Sequence, residues 1–292
     1  MFSQLDRLKA IACGRLVDAA YDMFETPGNE PLEPQLPGSL SGEFDLTAWI
    51  HMSDFAIFRE KILKFYGFIA REKTNPASLF LVLRGTRGLW EWYDGMLCSG
   101  VPFQPEPSAG PVHLGFSRIY QTMKIIPTTS SSRPLKRYRQ DARPASFAQQ
   151  IEDHVASMSS SDTQKPQSKV TVTGHSLGAA LATLYVMEHC TKKGKSALTV
   201  DTLCTFASPR VGMDAFKARF DALPIASWRI VNLPDIVPKT PVELLGYRHM
   251  DLGYEFSSAG IAKGNPHCWH SMKTYLHWLD PKTQALDGDC QK

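Results

Sequence analysis

A run of β-branched residues, Val170-Thr171-Val172-Thr173, leads directly into Gly174-His175-Ser176-Leu177-Gly178, and an Ala- and Leu-rich stretch follows from Leu177 to Cys190. This order of strand, sharp turn and helix constrains the fold more than any other part of the chain. Side chains two before and two after the serine would clash at such a turn, so glycine stands at both places. A bare G-x-S-x-G arises by chance on the order of one time in ten in a chain of this length at ordinary glycine content. The flanking strand and helix give it meaning. In that setting Ser176 projects its hydroxyl from the top of a sheet as a candidate nucleophile. The Leu177 N–H, at the helix N-terminus, is a candidate oxyanion donor.

Other segments follow the same alternation. Helical spacing of Leu5, Leu8, Ile11, Ala12, Leu16, Ala19 and Met23 predicts a helix over 3–24. Four prolines and three glycines make 26–42 a loop. Residues 64–72 and 78–84 read as strands joined at Lys73-Thr74-Asn75-Pro76. Residues 98–111 read as irregular, 112–125 and 146–158 as helices, and 127–145 as a polar, basic insertion. Further strands fall at 199–206 and 227–232, and further helices at 213–222 and 269–279. Strands alternating with helices imply an α/β fold: a mostly parallel sheet covered on both faces. The 292 residues fit one such domain.

Composition excludes rather than selects. Apolar residues at 43% and charged residues at 21% supply a core and argue against global disorder. A net charge of +3 makes no case for nucleic acid. The longest apolar run, Leu79-Phe80-Leu81-Val82-Leu83, is strand-length, so no transmembrane segment is expected. Asp6, Arg7, Lys9, Arg15 and Asp18 break any signal-peptide core, so the chain as given reads as cytoplasmic, or as secreted if it is a mature form. Cys13, Cys98, Cys190, Cys204, Cys268 and Cys290 are scattered without a CxxC pair, and are expected as mostly buried free thiols.

A serine hydroxyl needs a base to take its proton and a carboxylate to orient that base. Asp235 sits in SWRIVNLPDIVPKT, just past the carboxyl end of a strand, where open α/β sheets bind their ligands. The competing reading of Asp235 is an Asx-turn. Asp201 falls inside a strand, and Asp214 and Asp221 lie on an amphipathic helix, so they fit less well. His267, His270 and His277 compete for the base; His270, at a loop–helix junction, is best placed. His267-Cys268-x-His270 lacks a second ligand group, so no metal and no cofactor are expected.

The chain resembles the class 3 lipases, the group that includes filamentous-fungal triacylglycerol lipases and plant acyl-lipid hydrolases. The resemblance rests on Leu83-Arg84-Gly85-Thr86, Val112-His113-Leu114-Gly115-Phe116, the segment around Ser176, Phe206 to Gly212, Arg229 to Pro238, Tyr247-Arg248-His249 and His270 to Leu276. It implies an α/β-hydrolase fold, a Ser176–Asp235–His270 triad and a second oxyanion donor at Thr86, with His113 and His249 structural. It also implies a lid after Thr86, within 87–105, where Leu89, Trp90, Trp92 and Tyr93 could cover the site and meet acyl chains. The expected activity is hydrolysis of acyl esters of lipids, of the triacylglycerol type, through an acyl-enzyme. Alternatives are a phospholipase A1, an esterase for soluble feruloyl-type esters, and a non-catalytic scaffold. The basic residues of 127–145 have no counterpart in the family. A solvated loop is the plain reading and contact with anionic lipid the other.

Overall fold

The architecture was obtained as a computed structural model that describes residues 5–25, 33–53, 63–86, 99–128, 145–158, 167–192, 194, 196–250 and 253–292. In chain order the strands are β1 (Phe44–Ser53), β2 (Leu63–Glu72), β3 (Ser78–Leu83), β4 (Gly100–Pro102), β5 (Pro111–His113), β6 (Lys124–Pro127), β7 (Ser168–His175), β8 (Leu198–Phe206), β9 (Gly212–Met213), β10 (Ala226–Asn232), β11 (Tyr247–Arg248) and β12 (Gly253–Phe256). Eight of them form one sheet in the order β12-β10-β8-β7-β3-β2-β1-β6. The half running from β12 to β3 is parallel throughout. The other half, from β3 through β2 and β1 to β6, is antiparallel. The expected parallel sheet therefore holds for the half that carries Ser176, and the sheet as a whole is mixed. A small second sheet, β11-β9-β5-β4, lies to one side.

Both faces are covered. On one face the helix Arg7–Phe24 and the helix Met272–Leu279 pack on Phe80, Val82, Phe206 and Ile230. Asp6 caps the first of these by accepting the Lys9 N–H at 3.0 Å, which satisfies one of the orphan donors of the first turn. Arg7 ties the two helices together by donating to the carbonyls of Leu279 (2.7 Å) and Trp278 (3.0 Å). On the other face the helix Leu177–Thr191 is buried from Leu177 to Glu188. A helix buried all round has no polar stripe, which explains its Ala- and Leu-rich composition. The helices Leu114–Tyr120 and Phe147–Met158 pack beside it. Each fully buried Leu or Phe in these two cores contributes about 1.5–3 kcal/mol.

Four further sequence expectations change. The span 112–125 divides into β5, the helix Leu114–Tyr120 and β6, while 98–111 contributes β4 and the start of β5 to the small sheet. The expected helix over 269–279 is two, Pro266–His270 and Met272–Leu279, broken at Ser271 with ψ 132°. Among the described cysteines, Cys13, Cys190 and Cys204 are free, whereas Cys268 and Cys290 form a disulfide. Twenty-two residues separate those two in sequence; the fold brings their Cα atoms to 5.3 Å, which sequence spacing does not reveal.

Candidate active site

Ser176 follows β7 and precedes the helix Leu177–Thr191, with φ 57° and ψ −124°. A non-glycine residue in this region is strained by about 1–3 kcal/mol and persists only where its surroundings hold it. Here the Ser176 N–H donates to the Phe206 carbonyl at 3.0 Å, fixing the turn to β8. A Cβ at Gly174 would lie 2.5 Å from the Gly178 carbonyl oxygen, and one at Gly178 would lie 2.4 Å from the carbonyl oxygens of Leu83 and Arg84. Both glycines let the first turn of the helix press against the strand ends.

Asp235 lies in the turn after β10, its N–H donating to the Asn232 carbonyl at 2.9 Å. Its carboxylate accepts from the Val237 N–H at 3.0 Å, the Tyr275 hydroxyl at 2.7 Å and His270 Nδ1 at 2.7 Å. The Asx-turn and the histidine partner are thus one arrangement: the turn holds the carboxylate where it meets the ring. His270 ends the short helix Pro266–His270. That helix end is tied to β10 by Asn232, whose amide donates to the Trp269 carbonyl (2.7 Å) and to Ser258 Oγ (2.8 Å). His270 Nε2 is buried and has no hydrogen-bond partner among the described residues. The ring lies 4.5 Å from that of His175, the neighbour of Ser176.

The turn after β3 carries the remaining elements. Arg84 is buried, donates to the Phe65 carbonyl at 2.8–3.0 Å and to the Gly85 carbonyl at 2.7 Å, and stacks on Phe24 and Tyr66. In a trans peptide the C=O and the following N–H point opposite ways. Arg84, by holding the Gly85 carbonyl, therefore turns the Thr86 N–H away from itself. A Cβ on Gly85 would lie 2.8 Å from Ser176 Cβ, so this loop abuts the serine. The Gly85 N–H donates to Tyr21 Oη at 2.8 Å, and Tyr21 Oη sits 2.7 Å from His175 Nδ1. Having accepted from Gly85, the phenol directs its own hydrogen to Nδ1, which leaves the His175 proton on Nε2. Burial, reinforced by neighbouring His270, holds His175 well below the ordinary histidine range, so it is neutral.

The remaining histidines bond elsewhere. His267 is exposed. His277 bonds the Gln284 carbonyl and His249 the Pro238 carbonyl, while His113 caps the helix Leu114–Tyr120 by accepting from Gly115 and Phe116 N–H. His267, Asp287 and Cys290 come close enough to suggest a metal, but the Cys290 sulfur is spent in the disulfide. Leu89, Trp90, Trp92 and Tyr93, with the rest of 87–98, lie outside the described residues, as do the basic residues of 129–144.

The family model for Lipase (class 3) matches residues 80–245, from the middle of β3 to past Asp235. The chain belongs to the class 3 lipase family. Among its relatives is Phospholipase A1-II 1 of Oryza sativa subsp. indica, 32% identical over 240 residues, which are 76% of this chain and 56% of that protein. Phospholipase A1-II 4 of Oryza sativa subsp. japonica is 32% identical over 274 residues, covering 83% and 64%. The chain thus spans 56–64% of these two relatives. The fold is that of solved fungal lipases. The Rhizomucor miehei lipase propeptide complex superposes with a TM-score of 0.59 at 20% identity, over 89% of this chain and 72% of that one. Lipase II from Rhizopus niveus gives 0.57 at 21%, over 88% and 83%.

Within this class 3 lipase, three contributors to the site were not read from sequence. Tyr21 sits on the first helix, 154 residues before His175, and carries no local signal beyond its helical spacing. Asn232 lies inside the stretch matched by the family model and Tyr275 beyond its end, and their hydrogen bonds to or around Asp235 depend on how a helix and a strand pack.

Proposed function

We propose that this class 3 lipase hydrolyses carboxylic esters of lipids through an acyl-enzyme on Ser176. The observation that carries this reading is a buried His270–Asp235 pair whose outer nitrogen has no hydrogen-bond partner among the described residues and whose ring lies 4.5 Å from that of His175, the residue before a serine held at positive φ. His270 Nε2 takes the Ser176 proton, while Asp235 fixes the tautomer and stabilises the imidazolium. Ser176 Oγ attacks the ester carbonyl. The N–H groups of Leu177 and Thr86 receive the oxyanion, a contribution of about 3 kcal/mol for one donor. His270 then protonates the departing alcohol, and water repeats the sequence to free the acid. No step requires a metal or cofactor.

The named relatives favour phospholipid over triacylglycerol as substrate, because the 32% identical rice proteins are called phospholipase A1. The test compares p-nitrophenyl butyrate, emulsified triolein and phosphatidylcholine vesicles, for wild type and Ser176→Ala. Hydrolysis of phosphatidylcholine that vanishes in the variant is expected. A folded wild type inert on all three esters, and unlabelled by a fluorophosphonate in detergent, would sink the enzyme reading.

A further inference from the structure

The Cys268–Cys290 disulfide belongs to a small apolar cluster of its own, packed with Ala262 and Leu286 apart from the two main cores. Its surroundings hold other donors. His267 immediately precedes Cys268, and Asp287 stands three residues before Cys290. A ring nitrogen of His267, a carboxylate oxygen of Asp287 and the sulfur of Cys290 all lie within 4.8 Å of one another. Cys268 contributes a second sulfur, bonded to the first. Two sulfurs, one imidazole and one carboxylate thus share one small volume. While the disulfide stands, neither sulfur can act as a thiolate ligand.

Opening the disulfide changes that without dismantling the segment, because bonds that involve no sulfur hold the chain on both sides. The Lys263 N–H donates to the Cys290 carbonyl at 2.9 Å, and Ala262 pairs with Gln291. Ser271 Oγ donates to Asp287 Oδ2, and Lys273 Nζ lies 3.3 Å from Asp287 Oδ1. Asn265 accepts the Cys268 N–H at 2.9 Å, and Thr274 Oγ1 donates to the Cys268 carbonyl at 2.7 Å. The four donors therefore stay together when the sulfurs separate. Two thiolates that each bind a tetrahedral ion at about 2.3 Å stand about 3.8 Å apart. Cα atoms 5.3 Å apart allow this by side-chain rotation.

Donor chemistry selects the ion. Thiolates are soft ligands that suit zinc rather than calcium or magnesium, and four protein donors fill its tetrahedral sphere. Two thiolates and a carboxylate against one zinc ion leave a single negative charge, beside the Lys273 ammonium. His267 is exposed and gives the ion a way in, whereas both sulfurs are buried. We infer that reduction of Cys268–Cys290 creates a structural zinc site, formed by His267, Cys268, Asp287 and Cys290, that replaces the disulfide in holding the helix that ends at His270. A dithiol opens the bond: one of its thiolates attacks a sulfur, its other thiol displaces the second cysteine, and it leaves as a cyclic disulfide. The two cysteine thiols then release two protons to solvent as zinc binds.

The test uses the full chain. Wild type is treated with dithiothreitol until two additional thiols react, freed of it by gel filtration under argon, and titrated with zinc and with cobalt beside the untreated protein. Among the described cysteines, Cys13, Cys190 and Cys204 are free in both forms, so the comparison isolates the disulfide pair. Reduced wild type should bind one zinc per chain at least about 100-fold more tightly than the disulfide form. Cobalt should give the sulfur-to-metal charge-transfer and d–d bands of a tetrahedral thiolate site. Zinc should raise the Tm of the reduced chain by at least about 3 °C and leave that of the disulfide form within about 1 °C. His267→Ala and Asp287→Asn keep both cysteines, can be checked for folding in the disulfide form, and should each weaken zinc at least about tenfold after reduction. A disulfide that dithiothreitol does not open in the folded chain, zinc bound equally by both redox forms, a cobalt spectrum without sulfur bands, or variants that bind as tightly as wild type would overturn the site. None of these readouts uses an ester, so the hydrolase reading stands or falls separately.

Discussion

Single residues divide into those that announce themselves and those that do not. Ser176 is marked by glycines on both sides, and those glycines are required by contacts of 2.4–2.5 Å. Tyr21 is marked by nothing, yet it accepts from Gly85 and donates to His175 in the candidate site. Tyr21→Phe should leave the Gly85 N–H and His175 Nδ1 without partners, at a cost of about 1–3 kcal/mol. We expect kcat on p-nitrophenyl butyrate to fall about 10- to 100-fold, with KM within twofold, because the loop that presents Thr86 loses its anchor rather than its substrate contacts. An unchanged kcat would mean that Arg84 alone holds the loop. The lesson for reading sequence is one of distance. The serine's requirements are local and spelled out in five consecutive residues, whereas Tyr21 becomes relevant only once the first helix lies across the carboxyl ends of β3 and β7.

Elements were legible where one period governs them. β3 and β7 are buried along nearly their whole length and read as continuous apolar or β-branched runs. β1 was not read at all, because its pairing with β2 shifts register between Leu46 and Ala48 and again between Ile50 and His51. The first places an extra residue, Thr47, in β1 and breaks the alternation that marks a strand, while the second places its extra residue, Tyr66, in β2. The loop after β10 matters in a way its prolines hide. It exposes Leu233 and Ile236 on either side of Asp235, followed by Val242, Leu244 at 95% exposure and Leu245. Exposed apolar groups beside the proposed triad favour contact with a lipid surface. Leu244→Ser should therefore lower turnover of phosphatidylcholine vesicles about tenfold and leave p-nitrophenyl butyrate within twofold; equal losses on both would argue against interfacial contact. The C-terminal element makes a further prediction. The Cys268–Cys290 disulfide closes 22 residues next to His270. The loop it removes from the unfolded chain is worth about 3 kcal/mol. Reduction should lower Tm by about 5 °C, and Cys290→Ser should reproduce the shift.

At the scale of the whole molecule, buried neutral histidines set the acid limit of stability. Burial pushes His113 and His154 down to about 4, and burial with the nearby Arg229 and Arg210 pushes His249 to about 3. In the unfolded chain each returns to about 6.5. As pH falls the unfolded chain therefore takes up protons first. The stabilisation these groups confer is complete above 6.5 and is lost on descending toward 4. Between pH 7 and pH 5 each costs on the order of 2 kcal/mol. Asp18 works in the opposite sense. Burial raises it to about 7, so the folded chain takes up this proton while the unfolded carboxylate stays charged until near 3.8. Stability from Asp18 increases as pH drops below 7, by an amount similar to one histidine. Asp22, also raised by burial, acts with Asp18, while His175 and His189, both held below the usual range by burial, act with the other three histidines, and five histidines against two carboxylates leave a net loss. We expect Tm to fall by at least 5 °C from pH 7 to pH 5, measured by calorimetry at constant ionic strength. His154→Gln, which keeps a donor for Thr47 and cannot take up a proton, should flatten that dependence. A Tm that holds steady or rises toward pH 5 would mean that the carboxylates outweigh the histidines, and that they, rather than the buried imidazoles, govern the response of this fold to acid.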